Sequence, residues 1–353
     1  MTLSVFMVGC GAFARRYHLP AFDHDDQVRI AAIFDPSPAA ETLALAQRHG
    51  APVCARLEDL PAPAGDRRDT FAIVTTPHTL HAAHVDAVLD LGLAVLVDKP
   101  FVMHTADAVR LADRAEQLGL CNAVAYNRRF DRSCQRAREL IRQGRIGAPR
   151  FVQTVQLGYE RAGWFLVPEL GGGGPYTGRA SHMADLVPWL LDRQPTRLRS
   201  RLRASSPQRS DHGGFIEVQF DELEWQMTCV EEGWHMWDEV RIFGEDGLIE
   251  LRRPLNMPIG WSLDCMTERM AQRETLQADP TPGGATLDFM RAMRDREARV
   301  ACSFRDAIPS VRIVERAFES ARDGERWLGL RGQEPGRSPN QPPSPQSKTG
   351  QPL

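Results

Sequence analysis

Leu3-Ser4-Val5-Phe6-Met7-Val8-Gly9-Cys10-Gly11-Ala12-Phe13-Ala14 is the stretch on which the fold turns. Its first six residues are a mostly apolar run that stops at a glycine, the pattern of a strand buried on both faces. The next six fit G-x-G-x-x-A. Gly9 permits a tight turn, Gly11 lets a backbone approach a pyrophosphate, and Ala14 allows a helix to pack closely on the strand. The N–H groups of Ala12 and Phe13, at the start of that helix, face an anion. A second apolar run, Val28 to Phe34, ends at Asp35. An acid at that distance accepts hydrogen bonds from an adenosine ribose and repels a 2′-phosphate. Pro36, Ser37 and Pro38 follow and bring no arginine to hold such a phosphate. The expected cofactor is NAD, with NADP disfavoured.

Outward from this turn the rhythm continues. Strands are predicted over 70–75, 94–97 and 122–125, and helices over 38–49, 79–91 and 106–118, with Thr105 as the cap of the last. Apolar strands alternating with helices form a parallel sheet covered on both sides. After residue 125 the pattern changes. A helix over 131–143 precedes longer, alternating strands at 150–158, 214–220, 223–231 and 238–251, the last turning at Glu245-Asp246-Gly247. Two helices, 285–295 and 305–322, close the folded part. The fold expected is an α/β Rossmann domain (1–124) plus an α+β domain with a large, mostly antiparallel open sheet (125–333). A Pro/Gln/Ser-rich segment, 334–353, is predicted to be disordered.

Composition removes several function classes. The 353 residues are 42% hydrophobic and 25% charged, with a formal net charge of -3. Without a basic excess there is little to draw nucleic acid or an anionic membrane, so neither is expected as a partner. No apolar run reaches the ~18 residues of a membrane span. Met7-Val8-Gly9-Cys10 faintly resembles a lipoprotein cleavage site but lacks a basic segment before it. The seven cysteines (10, 54, 121, 134, 229, 265, 302) are scattered and form no CxxC pair. That points to a reducing cytoplasm and to no zinc site.

Of 43 basic residues only Lys99 and Lys348 are lysine, and Lys348 lies in the Pro/Gln/Ser-rich segment. An ammonium can have its pKa drawn into a working range, whereas a guanidinium stays charged. Lys99 is therefore the candidate for proton transfer. The competing reading is an arginine-favouring genome that left one lysine here by chance.

Further motifs occur in order: His18-Leu19-Pro20-Ala21; Thr75-Thr76-Pro77-His78 with His81; Asp98-Lys99-Pro100; Asn127-Arg128-Arg129-Phe130; Gly144-Arg145-Ile146-Gly147; Gly172-Gly173-Gly174 leading to His182 and Asp185; and Glu315 to Ala321. With the glycine turn they make the chain resemble the Gfo/Idh/MocA oxidoreductases, the group of glucose–fructose oxidoreductase and inositol dehydrogenase. The resemblance implies that Thr75, Thr76, Pro77, His78, His81, Asp98, Lys99 and Asn127 join the glycine turn and Asp35 in holding the cofactor. Asp98 stands where the family has Glu and is expected to reach the nicotinamide ribose. Lys99 is expected to donate a proton or hydrogen bond to the substrate oxygen, stabilising a developing alkoxide, and its bond to Pro100 to be cis. His182 is expected to face the substrate hydroxyl as base or orienting group. Asp185, three residues on, would share its helix face and orient the imidazole or a hydroxyl. Arg161, Trp164 and Tyr176 are expected to line the substrate cleft with Lys99 and His182.

One position departs from the family pattern. The Asp usual four residues before the histidine is Gly178, followed by Arg179, which puts the proton relay in doubt. His78, His81 and His84 are read as capping or packing groups, since no Cys or carboxylate completes a tetrahedral metal set. Trp234-His235-Met236-Trp237 is read as sheet packing or a subunit interface.

These readings converge on an NAD(H)-dependent oxidoreductase. It would move hydride between nicotinamide and a secondary alcohol or ketone of a sugar, cyclitol or related small molecule. A homo-oligomer, dimer or tetramer, is expected through the second-domain sheet. Two alternatives stay open: a lyase or glycosidase working through transient oxidation, and a non-catalytic dinucleotide-sensing regulator, motivated by Gly178.

Overall fold

A computed structural model describes residues 2–331 apart from 24, 64–65, 159–162, 175, 205–210, 232, 234, 255–259, 268–269 and 277–282. Arg161, Trp234 and the segment 334–353 therefore lie outside the described residues.

The apolar runs assemble the first sheet. It contains β1 (Leu3–Val8), β2 (Val28–Phe34), β3 (Val53–Cys54), β4 (Thr70–Val74), β5 (Ala94–Asp98) and β6 (Asn122–Ala125). All pairs are parallel, in the order β3-β2-β1-β4-β5-β6. Every residue of β1 and β4 is buried, because helices lie on both faces. These include α1 (Ala40–His49), α2 (His81–Asp90) and α3 (Thr105–Gln117). The strand order reverses between β1 and β4, so a crevice opens beyond their carboxyl ends.

The helix after the glycine turn is irregular. Beyond Ala12 and Phe13 it widens into one π turn, Ala14–His18, and ends in a 3-10 turn, Leu19–Ala21. At α3 the predicted cap shifts by one. His104 occupies the cap position and Thr105 is the first helical residue.

The second half runs α4 (Arg132–Arg142), β7 (Pro149–Leu157), α5 (Pro168–Gly171), α6 (Ser181–Leu191), β8 (Arg197–Ala204), β9 (Asp211–Gln219), β10 (Glu224–Val230) and β11 (Trp237–Gly244). It continues with β12 (Gly247–Pro254), β13 (Ser262–Thr267), β14 (Met270–Leu276), α7 (Gly284–Arg294), α8 (Phe304–Arg322) and β15 (Leu328–Gly329). Nine strands form one sheet, β14-β13-β12-β11-β7-β10-β9-β8-β15, in which only β7 and β10 pair in parallel. β8, β13, β14 and the two-residue β15 add to the strands expected in this half. The inner face, with Val152, Ile216, Trp225 and Ile242, shares a core with α4, α6 and the second half of α8. The outer face keeps Phe215, Phe243 and Met266 exposed.

Chain order and packing part company near the end. α7 sends Ala285, Phe289, Met290 and Met293 into the core under the first sheet, and the start of α8 does the same with Phe304, Ala307, Ile308 and Val311 on its other face. Residues late in the 125–333 stretch thus clamp the Rossmann half. Among the described residues no helix is long and apolar enough to cross a membrane.

Candidate active site

The crevice is shaped first by backbone. Gly9 sits at φ 85°, and a Cβ there would press on the Thr75 backbone and the Thr76 methyl at 3.0 Å. Only glycine takes this turn without strain. The approach is stitched by Gly9 N–H to Phe34 O (2.8 Å), Thr75 N–H to Val8 O (2.8 Å) and the Thr75 hydroxyl to Gly9 O (2.8 Å). Gly11 is exposed, with nothing within 4 Å of where its Cβ would be. Asp35 closes the far side, accepting from Cys10 N–H (3.3 Å) and Ser37 N–H (3.0 Å). Ala14 is fully buried against the sheet, and Phe13 stands exposed at the rim.

Between the turn after β4 and the end of β5 lies a brace. His81 is buried, with Nε2 2.9 Å from Thr76 O and Nδ1 2.8 Å from Pro100 O. Burial lowers its pKa, while the carbonyl contacts oppose the shift. This corrects the expectation for His81: it fixes the two segments that flank the crevice, and both ring nitrogens are turned to protein carbonyls. Thr76 places its hydroxyl 2.8 Å from His84 Nδ1. Asn127 follows β6, half-buried, at the same end of the sheet.

Asp98 and Lys99 end β5, and the Lys99–Pro100 bond is cis. Asp98 Oδ1 is buried and without a hydrogen-bond partner. Desolvation pushes this carboxyl up to about 6, against the attraction of Lys99. Lys99 is only 8% exposed, and its Nζ donates to Gly178 O at 3.0 Å. The residue that breaks the family pattern thus receives the lysine through its backbone. His182 follows four residues later at the start of α6, half-buried.

A strap from the second half covers this region. Thr79 donates to Glu169 O (2.7 Å), and His78 Nδ1 lies 3.1 Å from Gly171 O. Trp164 stacks on Phe165 at 3.8 Å and meets His78 edge-on at 4.9 Å. Trp164, half-buried, and His78 therefore form one aromatic wall.

Two expected site residues are elsewhere. Tyr176 is 0% exposed and packs edge-on against Phe318 in the second core, so it does not line a cleft. Asp185 gives both carboxylate oxygens to Arg129, Oδ2 accepting from Nε at 2.9 Å and Oδ1 from Nη2. It borders a cavity of about 310 Å³ lined also by Arg138, Trp189, Asp306 and Ser310. It acts as a structural counter-ion. The sequence reading missed Arg128 and Arg129 as structural cations: Arg128 donates to Asp238 Oδ2 at 3.0 Å, and Arg253 shares that acceptor. Two adjacent arginines inside a motif were the available signal. Among the described residues no three His, Cys, Asp or Glu side chains converge as for a metal.

A dinucleotide suits these groups: the open side of Gly11, the N-terminal end of the helix that follows it, and an orphaned carboxylate oxygen on Asp98. Comparisons with known proteins agree. A family model described as "Oxidoreductase family, NAD-binding Rossmann fold" matches residues 3–126, and the "GFO/IDH/MocA C-terminal domain" model matches residues 134–250. The chain is 31% identical over 333 residues to rhizopine catabolism protein MocA of Rhizobium meliloti, covering 89% of this chain and 93% of that protein. It is 29% identical over 225 residues to 1-carboxy-3-chloro-3,4-dihydroxycyclo hexa-1,5-diene dehydrogenase of Comamonas testosteroni, covering 62% of this chain and 55% of that relative, about half its length. In fold it resembles the aldose-aldose oxidoreductase of Caulobacter crescentus, crystallised with glycerol, at a TM-score of 0.79 and 19% identity, covering 93% and 100% of the two chains.

Proposed function

The chain belongs to the Gfo/Idh/MocA family of NAD(P)-dependent oxidoreductases, and on that footing we propose that it interconverts a secondary alcohol and a ketone on a sugar, cyclitol or related small molecule, with Lys99 as the proton-transfer group. The observation that carries the proposal is the buried ammonium of Lys99 at the join of the two halves, 3.0 Å from Gly178 O and one turn before His182.

The bound nicotinamide would supply or accept the hydride. The glycine turn, with Ala12, Phe13 and Ala14, would hold the pyrophosphate, and Asp98 would accept from the nicotinamide ribose. Asp35 supports NAD over NADP, because its carboxylate repels a 2′-phosphate. Thr75, Thr76, Pro77 and His78 would form the wall beneath the ring, with Asn127 at its edge. Lys99 would exchange its carbonyl acceptor for the substrate oxygen, giving a proton to a nascent alkoxide or receiving one from the alcohol. His182 would orient the same hydroxyl. Trp164 offers an apolar face to the C–H side of a sugar ring. The bare outer face of the nine-stranded sheet, with Phe215, Phe243 and Met266 exposed, supports association of two copies.

The test is turnover at 340 nm across a panel of polyols, cyclitols and sugars, beside NADH binding by fluorescence. Lys99→Ala is expected to lower kcat at least about a thousandfold and leave NADH binding within about threefold. Turnover close to that of the wild type in Lys99→Ala would remove the proposal.

A further inference from the structure

The peptide that receives Lys99 has little of its own to hold it. Gly178 has no side chain, and glycine leaves its backbone dihedrals loose. It lies in a widened π turn, Tyr176–Ala180, where its N–H reaches Gly174 O only at 3.3 Å. Such turns recur at functional sites. Its carbonyl nevertheless meets the Lys99 ammonium at 3.0 Å. The plane of that carbonyl is shared with the next residue, because the peptide joining Gly178 to Arg179 is rigid. Whatever fixes Arg179 therefore also aims Gly178 O.

Arg179 is held from several sides. It is 5% exposed, and its guanidinium donates from Nε to Glu231 Oε1 at 2.8 Å and from Nη1 to Leu157 O at 3.4 Å. Glu231 is buried to the same degree, and Asp238 Oδ1 stands 3.9 Å from Nη1. The backbone leaves a slot for the group. A Cβ on Gly158 would meet the guanidinium Cζ at 2.5 Å and overlap Nη2. The clamp sits where β7 and β10, the parallel pair of this sheet, end together: Leu157 faces Val230, and Gly158 N–H donates to Val230 O at 3.0 Å. Gly158 and Glu231 thus leave the sheet side by side. A buried ion pair often adds no stability over apolar packing; what it supplies here is one fixed geometry.

We propose that Arg179 is a positioning residue. Clamped by Glu231 in the Gly158 slot, it holds the Gly178 carbonyl where Lys99 takes it as acceptor, in place of the carboxylate that position 178 lacks. This rests on the reading of Lys99 as the proton-transfer group.

The chain has two lysines, Lys99 and Lys348. Protein isotope-labelled at lysine Cε therefore shows Lys99 as one of two carbon NMR lines, identified by its loss in Lys99→Ala. Three variants disturb the clamp in different ways. Arg179→Gln removes the cation, and Glu231→Gln loosens its anchor. Gly158→Ala fills the slot while keeping both charges, at a position whose φ is not left-handed. Each is expected to move the Lys99 line toward that of a free lysine in water and to lower kcat about ten- to hundredfold. KM and the NADH Kd should stay within about threefold. A Lys99 line unmoved in Glu231→Gln and Gly158→Ala overturns the proposal, even where Arg179→Gln fails to fold. A raised KM at unchanged kcat overturns it too and gives Arg179 to substrate binding. A moved line with NADH binding also lost marks general distortion and counts against it. The line is read without substrate, so full turnover in Lys99→Ala would remove the proton-transfer reading while the clamp is still judged by the line alone.

Discussion

The two sheets of this molecule handle charge in opposite ways. β1, β4 and the first four residues of β5 carry no ionisable side chain, and the crevice above them is made by backbone turns. The nine-stranded sheet buries Asp238, Glu239 and Asp264 on its strands and matches Asp238 with Arg128 and Arg253. Arg128 is 110 residues from its acceptor, and Arg129 is 56 residues from Asp185. The first half therefore positions its groups through short apolar runs that end together. The second half positions its groups through pairs of charges far apart in sequence. Asp98, half-buried with one enclosed oxygen left open, stands apart from these runs in the first half, and it lies where a ligand is expected.

Three measurements bear on this contrast, beginning with the largest effect. Asp238→Asn removes a charge that Arg128 and Arg253 both face, leaving Arg128 buried and Arg253 half-buried without it. Urea unfolding should show a loss of about 3–5 kcal/mol; a loss below about 1 kcal/mol would mean that charge pairing does not organise the second half. The pH dependence has a definite sign. Burial opposes ionisation of Asp238, but Arg253, Arg128 and Arg179 outweigh it and hold the carboxyl well below its usual range. Its stabilising contribution is complete above the ordinary aspartate value of about 4 and is lost as pH falls toward the lowered one.

Asp98→Asn should act in the reverse direction. Its folded pKa is raised to about 6, so ionisation opposes folding. That cost is absent in strong acid, grows as pH rises from about 4 to 6, and is constant above. The variant without ligand should therefore melt higher than wild type at pH 8, with the gain shrinking toward pH 4, and should bind NADH less tightly. An apo melting temperature that is unchanged or lower at pH 8 would break the comparison. The smallest change in stability is expected for Phe243→Arg on the outer face, within about 0.5 kcal/mol. Its effect should appear in sedimentation as a smaller assembly, and an unchanged mass would count against association through this face.

Much of the first half was legible because its signals are local. The apolar runs, Gly9, Asp35 and the lone folded-region lysine can each be read within a few residues, and each is found at the crevice. The second half hid more. Arg197-Leu198-Arg199-Ser200-Arg201-Leu202 alternates strictly, with the arginines out and Leu198 and Ser200 buried, yet its high charge masks a strand. Tyr176 and Asp185 lie at plausible spacings from His182, but spacing does not say which way a helix turns its faces. Their burial against Phe318 and Arg129 is settled by elements distant in the chain.

The order of residues by itself determined a parallel, doubly covered sheet with a glycine turn at its switch point, because burial on both faces and a positive φ leave marks that need no partner. It also singled out Lys99. Only the folded molecule decided that the ammonium rests on a backbone carbonyl at Gly178, that Asp185 serves Arg129, and that α7 returns to pack under the first sheet. Each of these depends on which surfaces meet when the halves close, and hydrogen bonds and buried charges are satisfied by proximity in space, which sequence distance does not encode.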